Sequence, residues 1–293
     1  MNDGAPDGWT PELAESFDAL TERWLGAYGE HACALASVHP GEQALDVGAG
    51  TGRLALALGA QLGGSGKVLG VDVAESMLAV ARRRGRKLGL TPHVVRFQVG
   101  EAGALPVADA SVDVATALFV LGHLGDPARA VSELARVLRP KGRVVVGLGA
   151  RPGAASVSAG RYLLRRVRDR ARAAAGRSVD VPALLHELLG APDGKDLLGD
   201  DPAGRVKGLL TSAGFREVRT SWVGDVADLP DPASAWEVSR TLSSSARLRL
   251  HATDAEAVTQ IRREFEARCR RVQGRGGRLV FPHGAALLRA RLA

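Results

Sequence analysis

The chain has 293 residues, enough for one large domain or two small ones, and its hydrophobic fraction of 45% is ordinary for a globular protein. Its net charge of +7 invites a nucleic-acid partner. However, aromatic residues make up only 4% of the chain and are not interleaved with basic residues, as they are in single-strand binders. The composition therefore favours a solvated basic surface over a nucleic-acid interface.

Cysteine usage favours a reducing compartment, and hydropathy argues against a membrane span. Cys33 and Cys269 lie far apart without ligand-like neighbours, which predicts two small apolar side chains rather than a disulfide. No apolar run approaches the ~20 residues of a membrane-spanning helix, and the N-terminus lacks the pattern of a signal peptide. No His, Cys and Asp cluster has metal-ligand spacing. These patterns predict a cytoplasmic protein without a membrane span or a metal.

The first predicted elements are two helices. Thr10 and Pro11 are residue types that favour a helix N-cap and first position, and apolar residues follow them at helical spacing. A second helix is predicted over residues 30–38, and a turn follows at residues 39–42. These helices precede the most informative stretch of the chain.

That stretch reads as a strand, a glycine turn and a helix. A buried strand is predicted at residues 43–47 and an apolar helix at residues 53–62. Between them, Gly48, Gly50 and Gly52 occupy alternate positions, where glycine permits positive φ and lets a ligand lie on the main chain. The helix adds free N–H groups at its start, so the turn predicts a ligand site.

Two classes of ligand compete for this turn. Dinucleotide sites prefer Gly-x-Gly-x-x-Gly, whereas here Arg53 occupies the last position and the glycine comes one residue early. Asp46 lies close to the turn, where its charge would repel a pyrophosphate but not a cationic sulfonium ligand with an amino group. The pattern favours the sulfonium.

Strands and helices then alternate along the chain. Strands are predicted at residues 67–71, 94–99, 111–119 and 143–148, with helices at 74–88 and 127–138. This rhythm requires parallel strands joined by right-handed crossovers. Asp72 and Glu101 follow the second and third strands, at the carboxyl ends where open α/β sheets bind ligands.

The pattern changes after residue 150. Helices are predicted at 161–172, 181–189 and 204–212, a sixth strand follows Gly214, two further helices come next, and extended segments at 278–281 and 285–291 form a seventh strand. The helix at 161–172 is basic and amphipathic. One face carries Arg161, Arg165, Arg168 and Arg172, and the other carries Leu164, Val167, Ala171 and Ala174.

Residues 44–148 resemble the class I S-adenosylmethionine-dependent methyltransferases, in particular the ubiquinone/menaquinone-biosynthesis type. The resemblance covers about a third of the chain and rests on the Asp-x-Gly-x-Gly-x-Gly motif from Asp46 to Gly52, on Asp72, and on the residues after the later strands. It implies a Rossmann-like, doubly wound α/β fold: a mostly parallel seven-stranded sheet with N-terminal helices and a helical insertion after strand 5. We expect a single domain overall. Its parts are residues 1–150 (N-terminal helices and cofactor core), 151–203 (insertion or lid) and 204–293 (the C-terminal part of the same fold).

The resemblance also implies S-adenosylmethionine as cofactor and a set of contacts to it. The first motif would surround the methionine end, and Asp72 would accept the ribose hydroxyls. Glu101 and Ala102 match an Asp-Ala pair that binds the adenine, while Met77 either packs near the adenine or belongs to the core. The predicted cofactor contacts are Asp46, Gly48, Gly50, Thr51, Gly52, Asp72, Val73, Met77, Glu101, Ala102 and Leu118.

Methyl transfer from a sulfonium is an in-line displacement that needs alignment and the exclusion of water rather than a strong catalytic signature. His123 is the candidate general base, and the alternative is that it fixes the loop after the fourth strand. Tyr28 and His31 either line the pocket or are ordinary helix residues. No Asn/Asp-Pro-Pro-Tyr follows the fourth strand, which argues against nucleobase amines as acceptors.

The resulting hypothesis is a methyltransferase that acts on an O, C or N atom of a small, apolar or aromatic metabolite. Two alternatives remain: a protein of this fold that binds the cofactor without transferring methyl, and an RNA methyltransferase, suggested by the basic helix. We predict that residues 151–203 form a mobile helical lid with its arginine face toward solvent or an acidic partner. A fixed contact in a homodimer is the competing interpretation.

Overall fold

The computed structural model describes residues 9–24, 26–150, 159–190, 198 and 201–293. Within these ranges the elements, in chain order, are α1 (Pro11–Trp24), α2 (Gly26–Ala36), β1 (Gln43–Val47), α3 (Arg53–Gln61), β2 (Lys67–Asp72), α4 (Glu75–Lys87), β3 (Val95–Val99), β4 (Val112–Leu118), a 3₁₀ turn (Leu121–His123), α5 (Pro127–Val137), β5 (Leu138–Gly149), α6 (Ala159–Ala174), β6 (Ser178–Asp180), α7 (Val181–Leu188), α8 (Pro202–Ser212), β7 (Phe215–Leu229), α9 (Pro232–Leu242), α10 (Ser244–Ala252), α11 (Ala255–Gly274) and β8 (Arg278–Leu292).

The chain divides into two units. The first comprises residues 1–151, 196–221 and 285–293, and the second comprises residues 152–195 and 222–284. Strands β7 and β8 each run from one unit into the other. The predicted three-part division into core, lid and C-terminal part stays a prediction.

The first unit contains a parallel sheet in the order β3-β2-β1-β4-β5. The end of β8 adds to β5 in the antiparallel direction, with residues 143–149 opposite residues 285–291. The central strands are buried because crossover helices cover both faces of a parallel sheet. The predicted doubly wound, mostly parallel α/β fold is confirmed.

The apolar core of the first unit lies between this sheet and its helices. It joins side chains of β1, β4 and β5 with the buried faces of α5 and α8, including Leu45, Val146, Leu134 and Leu210. The strict burial of these strands explains why they read as continuous apolar runs.

Helices α1 and α2 are held on this unit by arginines. Arg143 of β5, only 9% exposed, donates hydrogen bonds to the carbonyls of Ala36 and Ser37 at the end of α2 and to the carboxylate of Glu42. These bonds satisfy the last carbonyls of α2, which have no intrahelical partner.

Some element bounds differ from the expectation. Helix α2 begins at Gly26, earlier than predicted, and β5 begins at Leu138 because α5 continues directly into it. A short strand, Ser178–Asp180, pairs in parallel with Arg278–Val280 in the second unit and was not expected. Three residues are too few to show a period in the sequence. Among the described residues, no helix is long and apolar enough to cross a membrane.

Arg53 attaches α1 to the start of α3, and this contact is testable. Its guanidinium donates to the carbonyl of Asp18 at 2.6 Å and to the hydroxyl of Thr21 at 3.1 Å, and it lies 3.2 Å from the carboxylate of Glu22. We expect Arg53→Ala to increase hydrogen exchange of the α1 amides about tenfold or more, while amides of the sheet keep their protection, because α1 would open locally.

The matched control is Arg83→Ala, which removes an arginine that pairs with Glu15 of α1 at the solvent-exposed surface. Exposed pairs contribute little, so this change should leave α1 nearly as protected as in the parent. Equal effects of the two substitutions would contradict the special role of Arg53.

Candidate functional site

The turn between β1 and α3 depends on three left-handed glycines. Gly48, Gly50 and Gly52 have φ of +66°, +52° and +78°. A Cβ at Gly48 would lie 2.1 Å from Val120, and one at Gly52 would lie 2.7 Å from the Phe97 ring. A Cβ at Gly50 would meet nothing closer than the Met77 methyl at 3.5 Å. Gly48 and Gly52 therefore allow the neighbouring side chains to pack directly against the turn. Gly50 has space for a side chain beside it.

Asp72, at the end of β2, holds this turn. One carboxylate oxygen accepts the N–H of Gly50 at 2.8 Å, and the other accepts the N–H of Ala74 at 3.0 Å. Asp72, the residue predicted to bind the ribose, thus contacts the glycine turn directly.

Asp46 lies inside the sheet at the end of β1. It is 2% exposed and accepts a hydrogen bond from the Thr116 hydroxyl at 2.7 Å. Burial raises the pKa of Asp46 to about 7, and the charge of Asp72 also raises it, whereas Thr116 and a backbone hydrogen bond from Ala55 lower it. Thr51 is likewise buried, at 2% exposure. The sequence predicted Asp46 and Thr51 as cofactor contacts but did not predict that both are buried.

The ends of β2 and β3 expose apolar surface. Val73 is 48% exposed beside Asp72, and Val99 is 49% exposed two residues before Glu101. The Glu101 side chain is exposed, and Ala102 is 9% exposed. Apolar side chains next to carboxylates suit a flat, polar-edged ring such as adenine.

The loop that carries Glu101 and Ala102 is held by α5, which sequence reasoning missed. Arg136 donates to the carbonyls of Val107 and Leu105, and Arg129 donates to the carbonyl of Gly103 at 2.7 Å. Glu133 accepts the N–H of Leu105 at 2.7 Å. The spacing of three charged residues on one face of α5 was a signal in the sequence, but nothing there named their partners.

Met77 belongs to an apolar cluster under α1. It is 4% exposed and packs in a cluster with Ala14, Ala74 and Val80, against which Trp9 and Phe17 pack. Its methyl group also faces Gly50, as described above. Both interpretations of Met77, core residue and neighbour of the cofactor, therefore remain compatible with its position.

The end of β4 is aromatic and apolar. The partly buried Phe119 has φ of +57°, a region that bulky residues rarely adopt, and its ring packs edge-on against buried Tyr28 at 5.6 Å. Leu118 packs over Gly147, because a Cβ added at Gly147 would lie 2.5 Å from the Leu118 side chain.

The two candidate histidines lie in different places. His123 is exposed in the 3₁₀ turn after β4. His31 contacts the Ser221 hydroxyl at 3.0 Å through Nε2. The role of each stays a prediction.

The described part of the chain contains no group of three or more His, Cys, Asp or Glu side chains that could hold a metal ion.

Comparison with known proteins places this site in a family. A methyltransferase domain model matches residues 45–146, which run from β1 to β5 and include the turn, Asp72 and Glu101. Residues 45–146 are a class I, S-adenosylmethionine-dependent methyltransferase domain. The predicted family is confirmed.

The curated relatives of this chain include proteins named as methyltransferases. A demethylmenaquinone methyltransferase of Symbiobacterium thermophilum is 36% identical over 46% of this chain and 55% of its own length. An arsenite methyltransferase of Halobacterium salinarum is 38% identical over 39% of this chain and 28% of its own length. The chain thus covers less than two thirds of the length of these curated relatives.

Among solved structures, the [4+2]-cyclase SpnF is similar, with a TM-score of 0.53, 21% identity and coverage of 91% of this chain and 80% of that chain. At this identity the likeness concerns the fold alone.

The burial of Asp46 predicts a pH dependence of stability. Its folded pKa of about 7 lies above the ordinary value of 3.8, so its contribution is full below about pH 4 and is lost as pH rises through 7. Relative to Asp46→Asn, the free energy of unfolding of the parent should fall by about 1.4 kcal/mol per pH unit between pH 4 and 7. Urea unfolding at several pH values measures this difference.

Groups other than Asp46 are common to both proteins, so they cancel in the difference. A parent-minus-variant difference that is flat from pH 4 to 8 would contradict the assigned burial of a titrating Asp46.

Proposed function

We propose that this protein transfers the methyl group of S-adenosylmethionine to a small apolar or aromatic acceptor. The observation that carries the proposal is the Asp72 carboxylate bonded to the Gly50 amide, within a domain of this family. This hydrogen bond joins the glycine turn to Asp72, the residue predicted to bind the ribose. Both lie at the carboxyl ends of the strands, where such sheets bind ligands.

The residues at this place suit the cofactor. Asp72 presents a carboxylate at the turn, and the exposed Val73 and Val99 offer apolar contact for the adenine beside Glu101. Asp46 and Asp72 lie near the turn, and a cationic ligand there would favour the ionised form of the buried Asp46, whereas a pyrophosphate would disfavour it. When bound, the cofactor supplies an electrophilic methyl group on a positively charged sulfur.

The chain's own residues then have to orient the acceptor and keep water away. Alignment and the exclusion of water are most of what such a displacement needs. The partly buried Phe119 and Leu118 provide an apolar edge at the end of β4, and the buried Tyr28 packs against the Phe119 ring. This lining supports an apolar or aromatic acceptor. His123 remains the proposed base for acceptors that must lose a proton.

The named relatives support the donor more than the acceptor. Demethylmenaquinone and arsenite appear in the names of relatives that match 46% and 39% of this chain. Both relatives are named as methyltransferases and differ in the acceptor, so they support the donor chemistry and leave the acceptor open. A quinone-type ring is the acceptor we propose to test first, because it fits the aromatic edge formed by Phe119.

Cofactor binding should depend on Asp72. Charge-assisted hydrogen bonds to hydroxyls contribute roughly 1.5–3 kcal/mol each, so Asp72→Ala should weaken S-adenosylmethionine binding at least about tenfold. Calorimetric titration measures the dissociation constant. The matched control is Glu75→Ala, which removes a nearby exposed carboxylate that pairs with Arg82 and should leave affinity within about twofold.

An unchanged dissociation constant in a folded Asp72→Ala protein would refute the site. Binding of NAD without binding of S-adenosylmethionine or its demethylated product would refute the cofactor.

Turnover decides among the proposed activity and its alternatives. With the cofactor labelled at the methyl group, we expect label to pass to a quinone-type or other small aromatic acceptor, together with formation of S-adenosylhomocysteine. Tight binding without transfer to any metabolite or RNA pool would instead support a protein that uses the cofactor without methylation. Label in RNA alone would support the RNA methyltransferase.

A further inference from the structure

Helix α6 of the second unit turns one charged side, with Arg165, Arg166 and Asp169, toward the protein. Arg165 donates to the Asp225 carboxylate at 2.9 Å, and Arg166 donates to that of Asp180 at 2.8 Å. Asp169, the only acid in the helix, is 4% exposed. The Tyr162 ring packs edge-on against Trp222 at 5.0 Å. The polar side of α6 is therefore the side that is fixed.

The apolar side of α6 faces outward. Leu163, Leu164 and Val167 are 48%, 54% and 64% exposed. An amphipathic helix on a globular protein normally buries its apolar stripe. Here the opposite holds, which leaves three large hydrophobic side chains on one short helix in contact with water and indicates that something else covers them.

Arginines line both edges of this stripe. At about 100° per residue, Leu163, Val167 and Leu164 occupy one sector, with Arg170 at one edge and Arg168 at the other. Both arginines are exposed. The small residues Ala171 and Ala174 continue the stripe along the helix and are also exposed. We call the surface formed by Leu163, Leu164, Val167, Arg168 and Arg170 the outer face of α6.

We propose that the outer face of α6 docks on the surface of an anionic lipid bilayer. The three apolar side chains enter the boundary between headgroups and acyl chains, and Arg168 and Arg170 contact lipid phosphates. The outer face carries no acidic side chain, because Asp169 is buried on the opposite side.

Charge complementarity selects this occupant over a second copy of the chain. The protein carries a net charge of +7, so a second copy would bring like charge to a face that is already basic. An anionic bilayer instead supplies negative charge at the arginines and an apolar medium at the stripe. The helix has 16 residues, about 24 Å, so it lies along the surface.

The inference does not rest on the proposed function. If both hold, docking would bring the methyltransferase domain to acceptors dissolved in the membrane.

The test uses the full-length protein and sedimentation with phosphatidylcholine vesicles, with and without phosphatidylglycerol. We expect binding to the phosphatidylglycerol vesicles that falls as salt rises, and little binding to pure phosphatidylcholine. Leu163→Ser/Leu164→Ser/Val167→Ser should weaken this binding about tenfold or more. The control Leu88→Ser/Leu248→Ser changes two residues outside α6, one in the turn after α4 and one on α10, that are 62% and 53% exposed, and it should bind like the parent.

A second pair of variants tests the charges. Arg168→Gln/Arg170→Gln should weaken vesicle binding about tenfold and flatten its salt dependence. Arg86→Gln/Arg96→Gln removes the same charge from exposed positions in the first unit and should change binding far less. Thermal unfolding, measured without vesicles, reports whether each variant is folded.

Four outcomes would overturn the proposal. The parent could fail to bind phosphatidylglycerol vesicles, or the serine variant could bind them as the parent does, which would indicate non-specific attraction. The serine variant could lose a self-association seen in the parent by sedimentation, which would assign the face to a second copy. Finally, a folded serine variant could lose methyl transfer to a water-soluble acceptor in the absence of vesicles. This result would assign the outer face of α6 to a lid.

Discussion

The hydrogen bond from the Gly50 amide to the Asp72 carboxylate is the contact on which the candidate site depends. It joins the end of β2 to the turn after β1, two segments that are 22 residues apart in sequence. The turn can reach the carboxylate because Gly48 and Gly52 adopt positive φ and leave no side chain to collide with Val120 and Phe97. Alanine at either position would bring its Cβ too close to these side chains and would strain the backbone at positive φ.

The second constraint is electrostatic. Two carboxylates, Asp46 and Asp72, lie near one turn, and one of them is buried. Burial and like charge both make the ionised form of Asp46 unfavourable, so the site holds less negative charge when empty than its residues suggest. A cation beside the turn would favour ionisation of Asp46. This is a physical reason for a positively charged ligand, and it disfavours the pyrophosphate that a glycine turn alone would suggest.

Arginine explains how a chain with excess positive charge keeps this arrangement in place. Arg53 fastens α1 to the turn, Arg136 fastens the loop after β3, and Arg143 closes the end of α2. Arg165 fixes α6 in the second unit. Arg53, Arg136 and Arg143 each use several donors on carbonyl, hydroxyl or carboxylate oxygens, which a planar guanidinium does better than a lysine. Much of the basic composition is therefore structural, and it is a poor indicator of a nucleic-acid partner.

The sequence by itself determined the order of strands and helices in the first 150 residues, the glycine turn, the acid after β2 and the family. These features depend on local patterns: apolar runs, glycine spacing and strand-end residues. Tertiary structure decided the burial of Asp46, the bracing of Glu101 and Ala102 by α5, and the orientation of α6. Its amphipathic pattern showed two faces, but only contacts with distant aspartates, Asp180 and Asp225, selected the inward one. Ion pairs between residues far apart in sequence leave no period to read.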